Sequence, residues 1–255
     1  MTANVLILTP VKNAADEAPS YIERLLALEY PPEHLSLGML ASDSTDGTSA
    51  AFEDGFPQLL HAGWRSARLW NRDFGYRMPD DVPRWEPSIQ LERRRVLALS
   101  RNHLLFNALT DDIDWVLWLD ADVVEFRADI IELLTSLGRD IVQPHCVREW
   151  GGPTFDLNAW RSQGRVHLSD MRGEGFIVEL HAVGGTMLLV RADRHRDGLI
   201  WPAFRYGLQN PLIRTNPRMI GRPELGEIET EGLGMMAHDM GLTCWGLPEV
   251  EVRHR

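Results

Sequence analysis

Continuous apolar runs and helically spaced apolar positions alternate along the first half of the chain. Residues 4–9, NVLILT, form an apolar run closed by Pro10, which predicts a buried strand. In 17–28, Ile22, Leu25, Leu26 and Leu28 recur at helical spacing, and Pro31-Pro32 ends the pattern. LSLGMLA at 35–41 predicts a second strand, and SDSTDGT at 42–48 a turn into another helix. Strand–helix–strand–helix is the pattern of a parallel sheet with crossover connections.

Residues 61–87 hold Pro79, Pro83 and Pro87 and are expected to be irregular. A long helix is predicted from Ser88 to about Leu109. Leu91, Val96, Leu99, His103 and Phe106 lie near one side of it, with His103 expected in the core. Gln90, Arg94 and Arg101 share another face. WVLWL at 115–119 is a strand, 127–137 a helix and DIVQP at 140–144 a strand. Residues 148–180 lack a period and read as a long functional loop or lid, in which Trp150 and Trp160 either pack the loop or stack on a sugar. VGGTMLLV at 183–190 restores the sheet, its Gly184-Gly185 pair read as close packing. The segment 201–227 is rich in Pro and Gly, a helix runs from about Glu231 to Met240, and TCWGLP and VEVRHR are strand-like. The whole is expected to be one α/β domain over 1–255.

Composition narrows the function. A net charge of −11 over 255 residues argues against a general nucleic-acid or anionic-membrane binder. Two distant cysteines, Cys146 and Cys244, make neither a metal motif nor a disulfide framework, and point to a reducing, cytoplasmic compartment. No apolar run reaches the roughly 18 residues of a spanning helix.

Three polar clusters fall after predicted strands: TPVKN, SDSTDGT and the DAD of WVLWLDADVV. Ligands of open α/β sheets bind beyond the carboxyl ends of the strands. Two carboxylates one residue apart at such an end, Asp120 and Asp122, suit a hard divalent cation that bridges to substrate phosphates. Two enzyme classes end an apolar strand this way: nucleotide-sugar glycosyltransferases and aspartyl-phosphate phosphatases of pattern D-x-D-x-[TV]. The phosphatase needs a downstream lysine, and the only lysine here is Lys12.

The chain resembles glycosyltransferase family 62, the fungal mannan-polymerase mannosyltransferases of GT-A fold. The resemblance rests on ILTPVKNA at 7–14, SDSTDGT at 42–48, RDFG at 72–75, RRR and SRN within 93–102, WVLWLDADV at 115–123, FDLNAWR at 155–161, VGGTMLLV at 183–190 and ETEGLGMMA at 229–237. The fungal members carry a membrane anchor before the first strand, so the chain is expected to match their catalytic domain. The resemblance implies a GT-A fold: a Rossmann-like nucleotide-binding half, 1–125, an acceptor half, 126–255, and a mixed central sheet. It also implies retaining transfer of mannose from GDP-mannose with Mn²⁺, or Mg²⁺, as the ion. Thr9, Pro10 and Lys12 would flank the nucleotide, Asp43 would meet the base or ribose, and Arg94 and Arg101 would approach from the long helix. Asp120 and Asp122 match the metal motif, His254 a metal-completing histidine, and Glu231 is the candidate for the anomeric or acceptor contact.

Two other readings accompany this one: a UDP- or other nucleotide-sugar donor, and a nucleotide-sugar-binding scaffold subunit. Family members work in multi-subunit complexes, so a homo- or hetero-oligomer is expected. The acceptor is not legible.

Overall fold

The computed structural model describes residues 2–78, 82–83, 86–213 and 226–255. In chain order its strands and helices are β1 (Val5–Val11), α1 (Ala18–Leu26), β2 (Leu35–Ser42), α2 (Thr48–Glu53), α3 (Phe56–His61), β3 (Ser66–Arg72), α4 (Pro87–Ala108), β4 (Trp115–Leu119) and β5 (Val123–Glu125). They continue with α5 (Ile130–Ser136), β6 (Ile141–Val147), β7 (Trp160–Arg161), β8 (Val166–His167), β9 (Val178–Leu180), β10 (Met187–Arg191), α6 (Ala192–Arg196), α7 (Glu229–Asp239) and β11 (Cys244–His254).

The main sheet has the order β3-β2-β1-β4-β10-β6-β11-β5, with β9 added to β11. β1 to β4 pair in parallel, and β10 runs antiparallel between β4 and β6. The sheet is therefore mixed, as expected. Its central strands alternate between two cores. Val5, Ile7, Leu117 and Leu119 face one, with Tyr21, Ile22 and Phe52 of the first helices. Leu6, Leu8, Val116 and Trp118 face the other, with Leu104, Leu105 and Trp201. Burial on both faces is why these strands read as unbroken apolar runs.

Several boundaries differ from expectation, each for a physical reason. β1 runs through Pro10 to Val11, because β4 pairs with β1 only as far as Leu8 and a missing N–H is tolerated on a half-open strand. The stretch 61–87 is not wholly irregular: β3 is an edge strand of mostly half-exposed residues, without an apolar run to announce it. The excursion 148–180 carries β7, β8 and β9 rather than a single loop. β10 begins at Met187, so the glycine pair precedes the strand. α7 begins at Glu229, and the two expected terminal strands are one strand with an irregularity between Leu247 and Glu251. Pro79 and residues 214–225 of the Pro- and Gly-rich segment lie outside the described residues.

The long helix departs most. Leu91 and Phe106 are exposed and His103 is only partly buried, whereas Gln90, Ser100, Arg101 and Asn102 are buried. α4 turns polar groups inward because other buried polar groups await them, as the site shows. Among the described residues, no helix is long and apolar enough to cross a membrane.

Candidate active site

The carboxyl ends of β1, β2 and β4 lie side by side, and the three polar clusters of the sequence meet there. The first two tie directly to each other. Asn13 Oδ1 accepts the Thr45 N–H at 2.8 Å, Ser44 Oγ accepts the Asn13 N–H at 3.1 Å, and Thr48 Oγ1 accepts the Ala14 N–H at 2.9 Å. Asp46 accepts the N–H groups of Ala15 and Thr48, so it organises the turn and the start of α2.

Asp43 is more unusual. Its side chain is fully buried and its backbone is left-handed at φ 53°. Oδ1 accepts the N–H groups of Phe74, Gly75 and Tyr76 at 2.8, 3.0 and 3.3 Å, and Arg77 at 3.1 Å. Oδ2 is buried and has no hydrogen-bond partner among the described residues. A non-glycine residue at positive φ costs free energy that surrounding structure must offset, and such positions concentrate at functional sites. Lys12 donates to Tyr76 O at 3.0 Å and lies 4.9 Å from the centre of the Tyr76 ring. Partial burial lowers its pKa. Thr9 is fully buried and its hydroxyl bonds Tyr21, so its side chain belongs to the core.

Asp120 and Asp122 follow β4 with side chains about 30% exposed. Burial is the largest influence on Asp120. With Asp122 and Asp156 nearby it pushes the Asp120 carboxyl up to about 7, against the pull of Arg101. His254 is held by the sheet, since β11 pairs with β5 at His254↔Val123. Its Nε2 lies 3.1 Å from Asp122 Oδ1, and its ring rests 4.3 Å from that of Phe155. Burial disfavours its charge, but Asp122 outweighs burial and raises its pKa. Strand pairing thus holds His254 against Asp122. Arg24 of α1, missed in the sequence, donates to Ala121 O at 2.8 Å, between the two aspartates.

The donor set fits a divalent ion of limited kind. Two carboxylates and an imidazole are suitable for Mn²⁺, and the carboxylates for Mg²⁺. Among the described residues no three His, Cys, Asp or Glu groups converge as a complete ligand set. Such ions are held by one or two carboxylates and completed by phosphate oxygens and water.

Behind Asp120 lies a buried ionic network. Arg101, 2% exposed, reaches Asp120 Oδ1 at 3.3 Å and pairs with Glu229. Arg94 pairs with Glu231 and, at 3.3 Å, with Glu229; it also donates to Ile228 O at 2.7 Å. Glu229, a residue passed over in the sequence, is the link between the two arginines and sits at φ 58°. Burial would raise its pKa, but Arg101 and Arg94 reverse the sign and lower it. Glu231 is fully buried beside Arg94 and Thr230. The structure brings Asp120, Asp122 and His254 together, places Lys12 and Asp43 about one loop, and joins Arg94, Arg101 and Glu231 into a layer beneath Asp120. Trp160 is fully buried and Trp150 is exposed.

Comparison with known proteins agrees with this architecture. The Anp1 family model matches residues 1–174. The mannan polymerase complex subunit mnn9 of Schizosaccharomyces pombe is 30% identical over 98% of this chain and 79% of its own length. The mannan polymerase I complex VAN1 subunit of Saccharomyces cerevisiae is 25% identical over 98% of this chain and 60% of its own. Among solved structures, the mannosyltransferase PcManGT from Pyrobaculum calidifontis, in complex with GDP-Man and Mn²⁺, superposes with a TM-score of 0.57 at 15% identity, over all of this chain and 57% of that one. S. aureus TarS 1–349 in complex with UDP gives 0.53 at 13% identity, over 98% of this chain and 59% of that one. This chain therefore spans a little over half of each solved neighbour. These structural likenesses establish a GT-A glycosyltransferase fold, and the chain belongs to the Anp1 family.

Proposed function

We propose that this chain is a metal-dependent retaining glycosyltransferase that moves mannose from GDP-mannose to an acceptor. The observation that carries the reading is the pairing of His254 with Asp122, two residues from Asp120 at the end of β4 and beside the loops of Lys12 and Asp43, on a GT-A sheet. The mannan polymerase relatives and a neighbour holding GDP-Man and Mn²⁺ support mannose, GDP and the metal. Retention rests on the likeness of the motifs alone.

In this reading Asp120, Asp122 and His254 would hold a Mn²⁺ or Mg²⁺ ion, completed by phosphate oxygens and water. When bound, the ion supplies Lewis-acid stabilisation of the charge that grows on the departing diphosphate. The residues of the chain do the rest. Asp43 fixes the 74–76 backbone that walls the nucleoside, and a bond from base or ribose to its buried Oδ2 requires that loop to move. Lys12 supplies a positive charge on the open side, with Thr9 and Pro10 contributing backbone. Arg101 keeps Asp120 oriented, and Arg94 holds the start of α7. Glu231 is the carboxylate proposed for the anomeric or acceptor contact, which requires it to part from Arg94. Residues 1–125 form the nucleotide half, and 126–255 the acceptor half.

Transfer of mannose from GDP-mannose to an α-mannoside probe, with the anomer of the product read by NMR, tests the reading. An α-linked product lost in Asp122→Asn is expected; an unreactive wild type overturns it. A second reading follows from the relatives being complex subunits: this chain works within a hetero-oligomer. Its two buried free cysteines are in keeping with a cytoplasmic setting.

A further inference from the structure

Gly184 and Gly185 leave room for two charged side chains of opposite sign. A Cβ on Gly184 would overlap Asp156 Oδ2, and one on Gly185 would overlap the Arg101 guanidinium. Asp156 comes from the excursion after β6, 36 positions beyond Asp120 in FDLNAW, and is buried. Its Oδ2 accepts the Thr186 hydroxyl at 2.7 Å and the N–H groups of Gly185 and Thr186 at 3.1 and 3.4 Å. Its Oδ1 accepts the Asn158 N–H at 3.2 Å. The peptide so gripped then reaches the metal motif, because the Asp120 N–H donates to Thr186 O at 2.9 Å.

We propose that Asp156 is a positioning residue of the metal motif: through the Gly185–Thr186 peptide it holds the Asp120 backbone, and it adds a third negative charge behind the cation site. The inference rests on the proposed metal-dependent function. A purely structural anchor would not need a carboxylate. An asparagine oxygen accepts the three hydrogen bonds of Oδ2 without setting another charge beside two aspartates, and gives up only the Asn158 N–H bond at Oδ1. The anionic choice therefore points at a cation. Burial keeps the field of Asp156 from being screened, so its charge acts on a neighbouring ion at a distance where a surface carboxylate would not. The same contacts tie the acceptor-side excursion to Asp120, which joins a loop of the second half to the end of β4.

The test is the Mn²⁺ concentration that half-saturates GDP binding, measured by titration calorimetry on wild type, Asp156→Asn, Thr186→Val and Thr186→Ser, with amide exchange at 119–121 read in parallel. Asp156→Asn is expected to raise the Mn²⁺ midpoint about tenfold while the melting temperature changes little. Thr186→Val, which loses the hydroxyl donor, raises the midpoint and speeds exchange of the Asp120 amide; Thr186→Ser restores both. Wild-type midpoints in Asp156→Asn and Thr186→Val overturn the proposal. Should Asp156→Asn not fold, the Thr186 pair alone decides, since equal midpoints for Val and Ser overturn it. A wild type that binds GDP without regard to Mn²⁺ removes the metal reading instead, a result separate from the failure of Asp156.

Discussion

Arg101 of α4 and Glu229 of α7 lie 128 residues apart in the chain and form an ion pair inside the protein, their side chains 2% and 3% exposed. Arg101 also faces Asp120, so one cation serves two carboxylates. Removing it leaves the buried Glu229 to Arg94 alone and takes from Asp120 its neighbouring cation. Arg101→Met is expected to destabilise the fold by about 3–5 kcal/mol. Glu229→Gln retains an acceptor and should cost about 2 kcal/mol. Urea unfolding of both variants checks the order, and equal, small losses would contradict the network.

Gly185 is a space for that guanidinium. Gly185→Ala places a methyl group where Arg101 lies, which should cost about 1–3 kcal/mol by overpacking. The cost depends on Arg101 being there. In a double-mutant cycle with Arg101→Ala, the Gly185→Ala penalty should shrink, because the two sites share one volume. Additive losses would show that the glycine is needed for another reason.

His195 gives the protein a defined sensitivity to acid. It is buried, accepts from Trp118 Nε1 at 3.2 Å and bonds Leu199 O through Nδ1. Burial pushes its pKa down to about 4, although the bond to Leu199 opposes this. The unfolded chain takes up the proton near 6.5 and the folded chain only near 4. Stability from this residue is therefore complete above pH 6.5 and is lost as pH falls from 6.5 to 4. The total is about 3 kcal/mol. His195→Gln should show a shallower decline of the urea midpoint across that window than wild type; an unchanged slope would contradict the assignment.

Asp43 organises the 74–76 backbone from an otherwise unfavourable left-handed position. Asn is tolerated at positive φ better than Ala. Asp43→Ala should therefore speed amide exchange at 74–76 and weaken GDP binding by at least tenfold, with Asp43→Asn milder on exchange. Unaltered exchange in Asp43→Ala would show that the loop holds itself.

The parts of this site that were legible in the sequence are those fixed by local pattern. Asp120 and Asp122 follow a strand whose apolar run announces both its burial and its end, and Lys12 and Asp43 close two further strands in the same way. Resemblance, rather than periodicity, singled out His254. What escaped are the groups whose role exists only through distant partners. Asp156 acts on Thr186 and Glu229 on Arg101, across separations that no local period encodes. Reading α4 by its apolar residues failed for the same reason. Its inward face carries Arg101 and Asn102 because Glu229, Asp120 and Trp201 O wait to bond them, so Phe106 was left outside. β3 was hidden because an edge strand, half-exposed on its surface, need not be apolar.

The central claim is that this chain binds GDP through a divalent ion held at Asp120 and Asp122. The most direct test is the thermal shift of wild type and of Asp120→Asn/Asp122→Asn with GDP or UDP, each with and without Mn²⁺. At about a hundredfold excess over the dissociation constant, a bound ligand adds about 2.7 kcal/mol. For a chain of this size that corresponds to a rise of about 5–10 °C. This rise is expected for wild type with GDP and Mn²⁺ together, a much smaller one with UDP or without the metal, and none in the double variant. No shift of wild type with GDP and Mn²⁺, or an equal shift in the variant, would contradict it.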